Sequence, residues 1–302
     1  MRPARERPPR TVRHDLLVAG HLNVDHLLAV PALPTAERTT PIDAHRVALG
    51  GSAASIARVA RRERLTVAVV SRVGADFPPP FLRLLRAEGV DVTGVERVPG
   101  TTTSACIIAH DRAGRQTTLI DQGPMGRAAG ARLPRTLVER AGWVHLTTGD
   151  PPFVLRLAET ARSAGVPIAV DPAQEIHYRW ERRPFAALVA HAEILFGNEA
   201  EIRAAARLLG VGSPARLVDR VPLVVETRGR RGAVARSRAG ATARPAAPAG
   251  RVEDPTGAGD AFRGGFYGAF LRGAPIGPCL DAGALAAARW LRERPKTGPG
   301  PP

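Results

Sequence analysis

Residues 254–262 read DPTGAGDAF and place two carboxylates and two glycines directly before an apolar helical pattern. Apolar residues continue at helical spacing through Phe262 and Phe266, so a helix is predicted to begin near Gly257. The first N–H groups of a helix lack intrahelical acceptors, and the helix dipole favours an anion there. Glycines let a phosphate approach this backbone. The pattern indicates an anion site with Asp260 at its edge, where a carboxylate can accept a proton from a substrate hydroxyl.

The same stretch also fits a purely structural role. Asp254 followed by Pro255 is a good N-cap and first helical residue, and the glycines would then only close a packed turn. Four glycines lie around this helix start, at positions 257, 259, 264 and 265. Each costs about 1 kcal/mol wherever it is helical. That cost indicates that the backbone comes close to another group, and the residues favour the anion site.

The net charge of +15 raises the alternative of a nucleic-acid binder. Arginine supplies all of the strongly basic side chains except Lys296, and the arginines are scattered through helical patterns. Few aromatic residues stand between them to stack bases. We therefore expect no dedicated nucleic-acid partner. Lys296 also lacks the glycine spacing of a P-loop, and no GxGxxG follows a predicted strand, which argues against P-loop and dinucleotide-binding enzymes.

Length and composition are typical of a cytoplasmic globular enzyme. The chain has 302 residues, of which 44% are apolar, enough for a substantial core. It contains no apolar run that could span a bilayer and no secretory leader, so no membrane partner is expected. Cys106 and Cys279 are isolated, which indicates neither a disulfide framework nor a zinc site. The Pro-, Arg- and Gly-rich tails, residues 1–13 and 296–302, are predicted to be disordered.

Short apolar runs alternate with segments of helical period along the chain. The predicted strands are 16–20, 65–71, 143–149, 166–171, 193–198 and 222–227, and helix candidates include 80–89, 152–165 and 199–210. This alternation predicts an α/β fold with a doubly wound, mostly parallel sheet flanked by helices. Ligands of such sheets bind beyond the carboxyl ends of the strands.

Two segments, residues 21–48 and 101–121, break this rhythm. The sequence DRAG (111–114) reads as a hairpin turn between alternating strands. We expect these segments to form a small β-strand lid over one edge of a single domain that spans residues 14–295.

The ordered motifs resemble those of the PfkB, or ribokinase-like, carbohydrate kinases. The family signature reads roughly DTxGAGDxFxxGF. The matching segments are GHLNVDHLL (20–28), LGGSAASIARVA (49–60), RVGADF (72–77), FGNEAE (196–201), ETRGRRGA (226–233) and TGAGDAFRGGF (256–266). The resemblance covers roughly residues 14–292 and implies transfer of a phosphoryl group from ATP to a sugar hydroxyl, with Mg²⁺.

The resemblance also implies roles for the residues around the helix start. Asp260 would be the catalytic base, and Gly257, Ala258 and Gly259 would form the anion hole. Asp254 and the Thr256 carbonyl match positions that hold a monovalent cation in many members, although Pro255 replaces the usual threonine.

Further matches imply the nucleotide side of the site. Asn198 and Glu201 would organise Mg²⁺ and the phosphates through water; without the resemblance, an Asn N-cap with acids in the first turn is the better interpretation. The nucleotide would also lie against residues of the turn after a strand and of the last helix. These are Thr227, Gly229, Gly232 and Gly283. Gly283 replaces a larger residue of ribokinases, which predicts a shallow adenine pocket.

Acceptor recognition is expected on the first lid strand. His21, Asn23 and Asp25 alternate with apolar residues and share one face, where an ordinary solvent-facing strand is the alternative. The resemblance favours Asn23 and Asp25 as ligands of the sugar hydroxyls. Gly50 and Gly51 would let the acceptor approach the next helix.

Departures from the ribokinase pattern narrow the acceptor. Ser52 and Ser55 stand where ribokinases carry Lys and Asn, so Ser55 is a candidate contact in a pocket that does not suit ribose. The segments IDQGPM (120–125) and DPAQEIHYRW (171–180) look like an archaeal-type branch that includes nucleoside kinases.

Gln122 and Gln174 could hydrogen-bond a base edge. We therefore expect a nucleoside 5′-hydroxyl as acceptor. The alternatives are a free sugar or sugar phosphate, and a non-catalytic sugar- or RNA-binding protein on this fold. A lid-mediated homodimer is implied by the resemblance alone.

Overall fold

The computed structural model describes residues 12–250, 252 and 255–293. Asp254 lies outside the described residues, and so do the predicted tails except for residues 12 and 13. The strands are β1 His14–Ala19, β2 Asn23–Val30, β3 Ala44–Gly50, β4 Val67–Gly74, β5 Asp91–Val98, β6 Ala105–Asp111, β7 Gln116–Asp121, β8 Ala141–Leu146, β9 Ile168–Val170, β10 Ile194–Asn198, β11 Leu223–Thr227, β12 Ala233–Ser237 and β13 Gly240–Arg244.

Eight α-helices lie between these strands or follow them in the described part of the chain. They are α1 Ser52–Arg62, α2 Pro79–Ala87, α3 Arg135–Glu139, α4 Pro151–Ser163, α5 Arg182–Val189, α6 Glu199–Leu208, α7 Ala258–Phe270 and α8 Ile276–Glu293. Short 3-10 segments occur at Ala173–His177, Pro214–Asp219 and Gly229–Arg231. None of the helices within the described ranges is long and apolar enough to cross a membrane.

The larger sheet confirms the predicted fold class. Its strand order is β13-β12-β11-β10-β9-β8-β1-β4-β5. All neighbouring pairs from β11 to β5 are parallel, while β12 and β13 add two antiparallel strands beyond β11, so that β13 and β5 form the edges. Each of the six strands predicted from the sequence overlaps a strand of this sheet.

The helices cover both faces of the large sheet because its strands alternate between two cores. On β1, Leu17 and Ala19 pack in the core with α3, α4, α5 and α6. Leu16 and Val18 pack in the other core with α1, α2, α7 and α8. Successive strand residues point to opposite faces, so a strand that is apolar throughout is buried on both sides.

A second sheet of four strands is built from the two segments that break the sequence rhythm. Its order is β3-β2-β6-β7, with one parallel pair, β2 and β6, between two antiparallel pairs. β6 and β7 form the hairpin expected at DRAG. The register pairs Asn23 with Gly50 and Asp25 with Ala48, which places the first lid strand beside the Gly-Gly turn that opens α1.

Glycines inside α7 serve helix packing. A Cβ on Gly264 would lie 2.6 Å from Cβ of Val59 in α1, and one on Gly265 would lie 2.4 Å from Cβ of Ala286 in α8. The sequence pattern indicates a ligand site for both glycines, but in the structure they let α1 and α8 approach α7 closely. Only Gly257 and Gly259 lie at the start of the helix, so α7 is fixed in place by α1 and α8 while its first turn faces the site.

Replacing Gly265 with alanine is expected to lower the free energy of unfolding by about 1–2 kcal/mol, since overpacking outweighs the gain in helix propensity. Urea denaturation measures the change. Gly212 is the matched control, because a Cβ there meets no atom within 4 Å; Gly212→Ala should change stability by less than about 0.5 kcal/mol. An equally or more stable Gly265→Ala variant would contradict the packing role.

Candidate active site

The carboxyl ends of the parallel strands define one edge of the large sheet. Asp171 follows β9, and Asn198 and Thr227 end β10 and β11 in direct register. The buried side chains of Asp171 and Glu201 converge there on Arg263 of α7. This is the edge where α/β sheets bind ligands.

The first turn of α7 presents backbone donors that have no acceptor among the described residues. Gly257 adopts a left-handed conformation with φ 77°, and a Cβ there would lie 2.9 Å from Nε1 of Trp290. The N–H of Ala258 donates to the Pro255 carbonyl at 3.2 Å. Within the described residues, no acceptor faces the N–H groups of Gly259 and Asp260. These two amides, rather than that of Ala258, are available to an anion in this conformation.

Asp260 stands at the edge of this turn. Asp260 is half-buried, and the Ser52 side chain at the start of α1 lies near its carboxyl group. Burial by the surrounding protein raises the pKa of Asp260 from 3.8 to about 7, with the charges of Asp171 and Glu201 adding to the shift and Arg263 opposing it. A carboxylate with such a pKa can act as a general base near neutral pH.

A buried polar cluster lies beside Asp260. Arg263 forms an ion pair with Asp171, donating from Nη2 to Oδ1 at 2.9 Å and pairing through Nε with Oδ2. His145 Nε2 lies 3.7 Å from Oδ2 of Asp171, and its Nδ1 is hydrogen-bonded to Tyr267 Oη at 2.8 Å. Burial lowers the pKa of His145, which is therefore neutral. Burial, together with the Asp171 charge, raises the pKa of Glu201.

The segment FGNEAE (196–201) forms the N-terminal cap of α6, as expected for an Asn N-cap followed by acidic residues. Asn198 Oδ1 accepts the N–H groups of Ala200 and Glu201, and Glu201 Oε2 accepts the N–H of Asn198 at 2.7 Å. This is a capping box. Because the cap occupies Oδ1 of Asn198, the Nδ2 donor of this side chain is the group left for a ligand.

The residues expected at the nucleotide differ in what surrounds them. Gly229, with φ 55°, has open space around it, whereas a Cβ on Gly232 would lie 2.0 Å from the Arg244 carbonyl. Gly232 is thus required by the turn itself. Gly283 packs against the Phe262 ring, which a Cβ would approach to 2.8 Å. Thr227 is half-buried at the end of β11.

On the lid side, the polar groups expected to bind the acceptor are buried. Asn23 is 4% exposed and Asp25 is 7% exposed. The carboxyl group of Asp25 lies over Gly50, where a Cβ would come within 2.0 Å of it. Gly51 has φ 94° and adjoins the His21 carbonyl. Asn23 Nδ2 donates to Cys106 Sγ at 3.2 Å, while its Oδ1 is buried without a partner in the described chain.

The two glutamines expected at a base edge are placed differently. Gln122 Nε2 donates to Tyr178 Oη at 3.0 Å, and Gln122 lies near Glu175. Gln174 is exposed. The adjacent Glu175 is instead the buried side chain of that segment: its Oε2 accepts the Gly149 N–H at 2.7 Å, and burial raises its pKa to about 7.

Ser55 is buried on α1, one turn beyond Ser52. Sequence reasoning missed the contact of Ser52 with Asp260, although the serine had been noted as a departure from ribokinases. It also missed Arg263, Asp171 and Glu175. An arginine at an apolar position of the α7 pattern was the available signal for Arg263.

The chain belongs to the pfkB family of carbohydrate kinases, whose family pattern matches residues 13–299. It is therefore a phosphotransferase that acts on an alcohol group. The intact Asp260, with the Gly-Ala-Gly turn before it, lies within this match.

Two curated relatives are similar over most of their length. The nucleoside kinase of Methanothermobacter thermautotrophicus is 34% identical over 270 residues, covering 88% of this chain and 85% of that protein. The ATP-dependent ribose-1-phosphate kinase of Halopiger xanaduensis is 31% identical over 284 residues, covering 91% and 92%.

Solved structures show the same fold. The nucleoside kinase of Methanocaldococcus jannaschii superposes with a TM-score of 0.83 at 25% identity, over 93% of this chain and 92% of that one. The predicted ribokinase-like architecture is thereby confirmed.

Replacing Asp260 with asparagine is expected to stabilise the fold at pH 8. Because burial raises the folded-state pKa of Asp260 to about 7, the folded chain holds this proton more tightly than the unfolded chain does. The stability from this group is full below about pH 4 and is lost as the pH rises through 7. We expect Asp260→Asn to have the higher urea midpoint at pH 8, with little difference at pH 4.

Asp219→Asn is the control, since Asp219 is an exposed carboxylate paired with Arg216 at 3.1 Å. It should show no pH-dependent gain. A wild-type chain as stable as Asp260→Asn at pH 8 would show that the Asp260 carboxylate is not desolvated.

Proposed function

We propose that the protein transfers the γ-phosphoryl group of ATP to the 5′-hydroxyl of a nucleoside, with Asp260 as the base. The observation that carries this proposal is the first turn of α7, where the amides of Gly259 and Asp260 face no acceptor in the part of the chain that the structure describes and lie beside the Asp260 carboxyl group. Asp260 takes the proton of the attacking hydroxyl while these N–H groups gather charge on the transferring phosphoryl group. The pKa of about 7 for Asp260 suits this exchange.

The acceptor would lie between the small sheet and the Gly-Gly turn that opens α1. Asn23 Oδ1, buried and without a partner among the described residues, fits a hydroxyl donor. Asp25, held over Gly50, offers carboxylate oxygens for the neighbouring hydroxyl of a ribose. Ser55 and Gly51 adjoin this space from α1 and its opening turn. Closure of the small sheet would exclude water from the reacting groups.

A nucleoside is favoured over a free sugar by polar groups beyond the ribose position. Gln122 and Tyr178 form a hydrogen-bonded pair between the small sheet and the segment after β9, where a base edge could be bound, and Gln174 lies on the same segment. Similarity to nucleoside kinases supports this acceptor. The similarity to a ribose-1-phosphate kinase supports a sugar phosphate as the second candidate.

The donor side fits ATP with a magnesium ion held through water. Glu201 contributes a buried carboxylate within electrostatic range of Asp171 and Asp260, and oxygen donors of this kind are the ones magnesium prefers. Among the described residues no three such side chains come together as a direct metal site, which fits an ion held through water. Magnesium would neutralise charge on the phosphates. Asn198, with its Oδ1 held by the helix cap, would donate from Nδ2 to a phosphate oxygen or water. Thr227 and Gly229 would lie along the nucleotide.

Three expectations stay predictions. The monovalent cation depends on Asp254, outside the described residues, and on the Thr256 carbonyl, which accepts a hydrogen bond from Trp290 Nε1 at 3.2 Å. The role of Gly283 at the adenine and the cytoplasmic location are likewise untested.

We also propose that two copies pair through the outer face of the small sheet. Val47, Ile107 and Leu119 lie on adjacent strands in one row of paired residues that passes through His26. They are 47%, 42% and 64% exposed. An exposed apolar row on a sheet face is typical of an association surface.

An acceptor panel tests the proposed reaction. With ATP and magnesium, we expect adenosine, inosine or cytidine to yield a 5′-phosphate, identified by phosphorus NMR, faster than ribose or ribose 1-phosphate does. Asp260→Asn should lower kcat by at least about 100-fold because the general base is lost. The control, Asp219→Asn, should keep wild-type turnover.

Preference for the sugar phosphate would overturn the nucleoside assignment alone. If folded Asp260→Asn kept more than a few per cent of wild-type turnover, Asp260 would not be the general base. If the wild-type protein phosphorylated none of the acceptors, the proposed function would be contradicted.

The pairing of two copies is tested by sedimentation velocity. We expect Leu119→Arg to convert a dimer into a monomer, because it places a charge in the apolar row. Leu285→Arg is the matched control, since Leu285 on α8 is 58% exposed but lies outside the small sheet. A wild-type monomer, or a dimer that survives Leu119→Arg, would contradict this surface.

A further inference from the structure

The buried ion pair between Arg263 and Asp171 lies against the first turn of α7. Arg263 is 4% exposed and Asp171 is 1% exposed. The guanidinium group contacts both carboxylate oxygens of Asp171. The two residues are 92 positions apart in the sequence, so the pair ties α7 to the carboxyl end of β9. A planar two-point pair of this kind fixes orientation as well as charge.

Arg263 also fills the space beside Gly259. A Cβ on Gly259 would lie 2.8 Å from Nη1 of Arg263. Long helical side chains point back toward the preceding turn, and Arg263 lies one turn after Asp260. The guanidinium group therefore packs against the first turn of α7. The same turn presents the amides of Gly259 and Asp260, which have no acceptor among the described residues.

Several carboxylates face this one cation. Asp171 is in contact with it, and Glu201 from α6 and Asp260 from α7 lie within electrostatic range. The neighbouring His145 is neutral because burial lowers its pKa, so it does not share the charge. Removing the cation would leave these carboxylates facing one another in a desolvated space, where repulsion is strong.

We propose that Arg263 is a positioning residue for phosphoryl transfer: held by Asp171, its guanidinium group supports the Gly259–Asp260 turn and balances the carboxylates around it. This inference rests on the proposed function. It makes the transfer step depend on a buried residue whose guanidinium group is held by Asp171. The geometry of the ion pair and the missing side chain at Gly259 carry it.

The main test separates positioning from folding with a double variant. Arg263→Met alone leaves Asp171 buried and unpaired and is expected to destabilise the chain strongly. Combining it with Asp171→Asn removes that unpaired charge. We expect the double variant to melt near the wild-type temperature, with kcat lowered by about 100-fold and KM for ATP and nucleoside within about threefold, since the turn alone is misplaced.

The matched control is Arg58→Met. Arg58 makes the same two-point pair with Glu88, through Nε and Nη2 at 2.6 Å each, between α1 and the end of α2. It should lower the melting temperature and leave kcat within about twofold.

The pH profile gives a readout that a merely structural role would not move. Among the described residues, the groups facing Asp260 are Arg263 from its own helix, Asp171 after β9, Glu201 from α6 and the uncharged Ser52 from α1. Losing the Arg263 cation raises the pKa of Asp260, so the acid limb of kcat should move to higher pH in Arg263→Met. Losing the Asp171 charge lowers that pKa, so Asp171→Asn should move the limb to lower pH.

The outcomes are distinguishable. A double variant with wild-type kcat, or single variants whose acid limbs do not move in opposite directions, would overturn the positioning role while leaving the proposed function intact. If the wild-type chain phosphorylated no acceptor, this result would instead contradict the proposed function, on which the inference rests.

Discussion

The site depends on one electrostatic constraint: a helix start must keep its amides free for an anion while an ionisable carboxylate stands beside it. The amides of Gly259 and Asp260, which have no acceptor within the described ranges, favour negative charge, and so does the buried cation of Arg263. Desolvation and the neighbouring carboxylates oppose it. The balance raises the pKa of Asp260 to about 7, which leaves the group able both to hold and to release a proton near neutral pH.

Packing against neighbouring helices fixes the position of this helix start. Gly264 and Gly265 let α1 and α8 approach α7 closely, and Trp290 of α8 contacts both Gly257 and the Thr256 carbonyl. Ser52 connects Asp260 to α1, whose opening turn adjoins the small sheet. The base is thereby connected to α1 and α8 through one helix, so a small shift of α7 would change the position of the Asp260 carboxyl group relative to both.

The features predicted correctly from the sequence are those that depend on neighbouring residues in the chain. Apolar runs revealed the buried parallel strands because those are covered on both faces, and the DRAG hairpin followed from turn chemistry. The edge strands β5 and β13 were not predicted because half-exposed strands carry mixed residues. The neighbouring strand β12 was not predicted either, because its sequence AVARS contains no run of large apolar residues. At the site, the glycine-flanked helix start was predictable, but the pair of Arg263 with Asp171 is non-local and only the fold brings it together. That Gln174 is exposed and its neighbour Glu175 is buried depends on a 3-10 segment, which no hydrophobic periodicity indicates.

The most direct test of the central claim is a crystal structure of the chain with ADP, magnesium, aluminium fluoride and a nucleoside. The account predicts fluoride atoms about 3 Å from the amide nitrogens of Gly259 and Asp260, with the nucleoside 5′-oxygen against the Asp260 carboxylate. A fluoride complex bound elsewhere, with these amides bonded to protein carbonyl groups or the Asp260 carboxyl turned away from the acceptor, would contradict it.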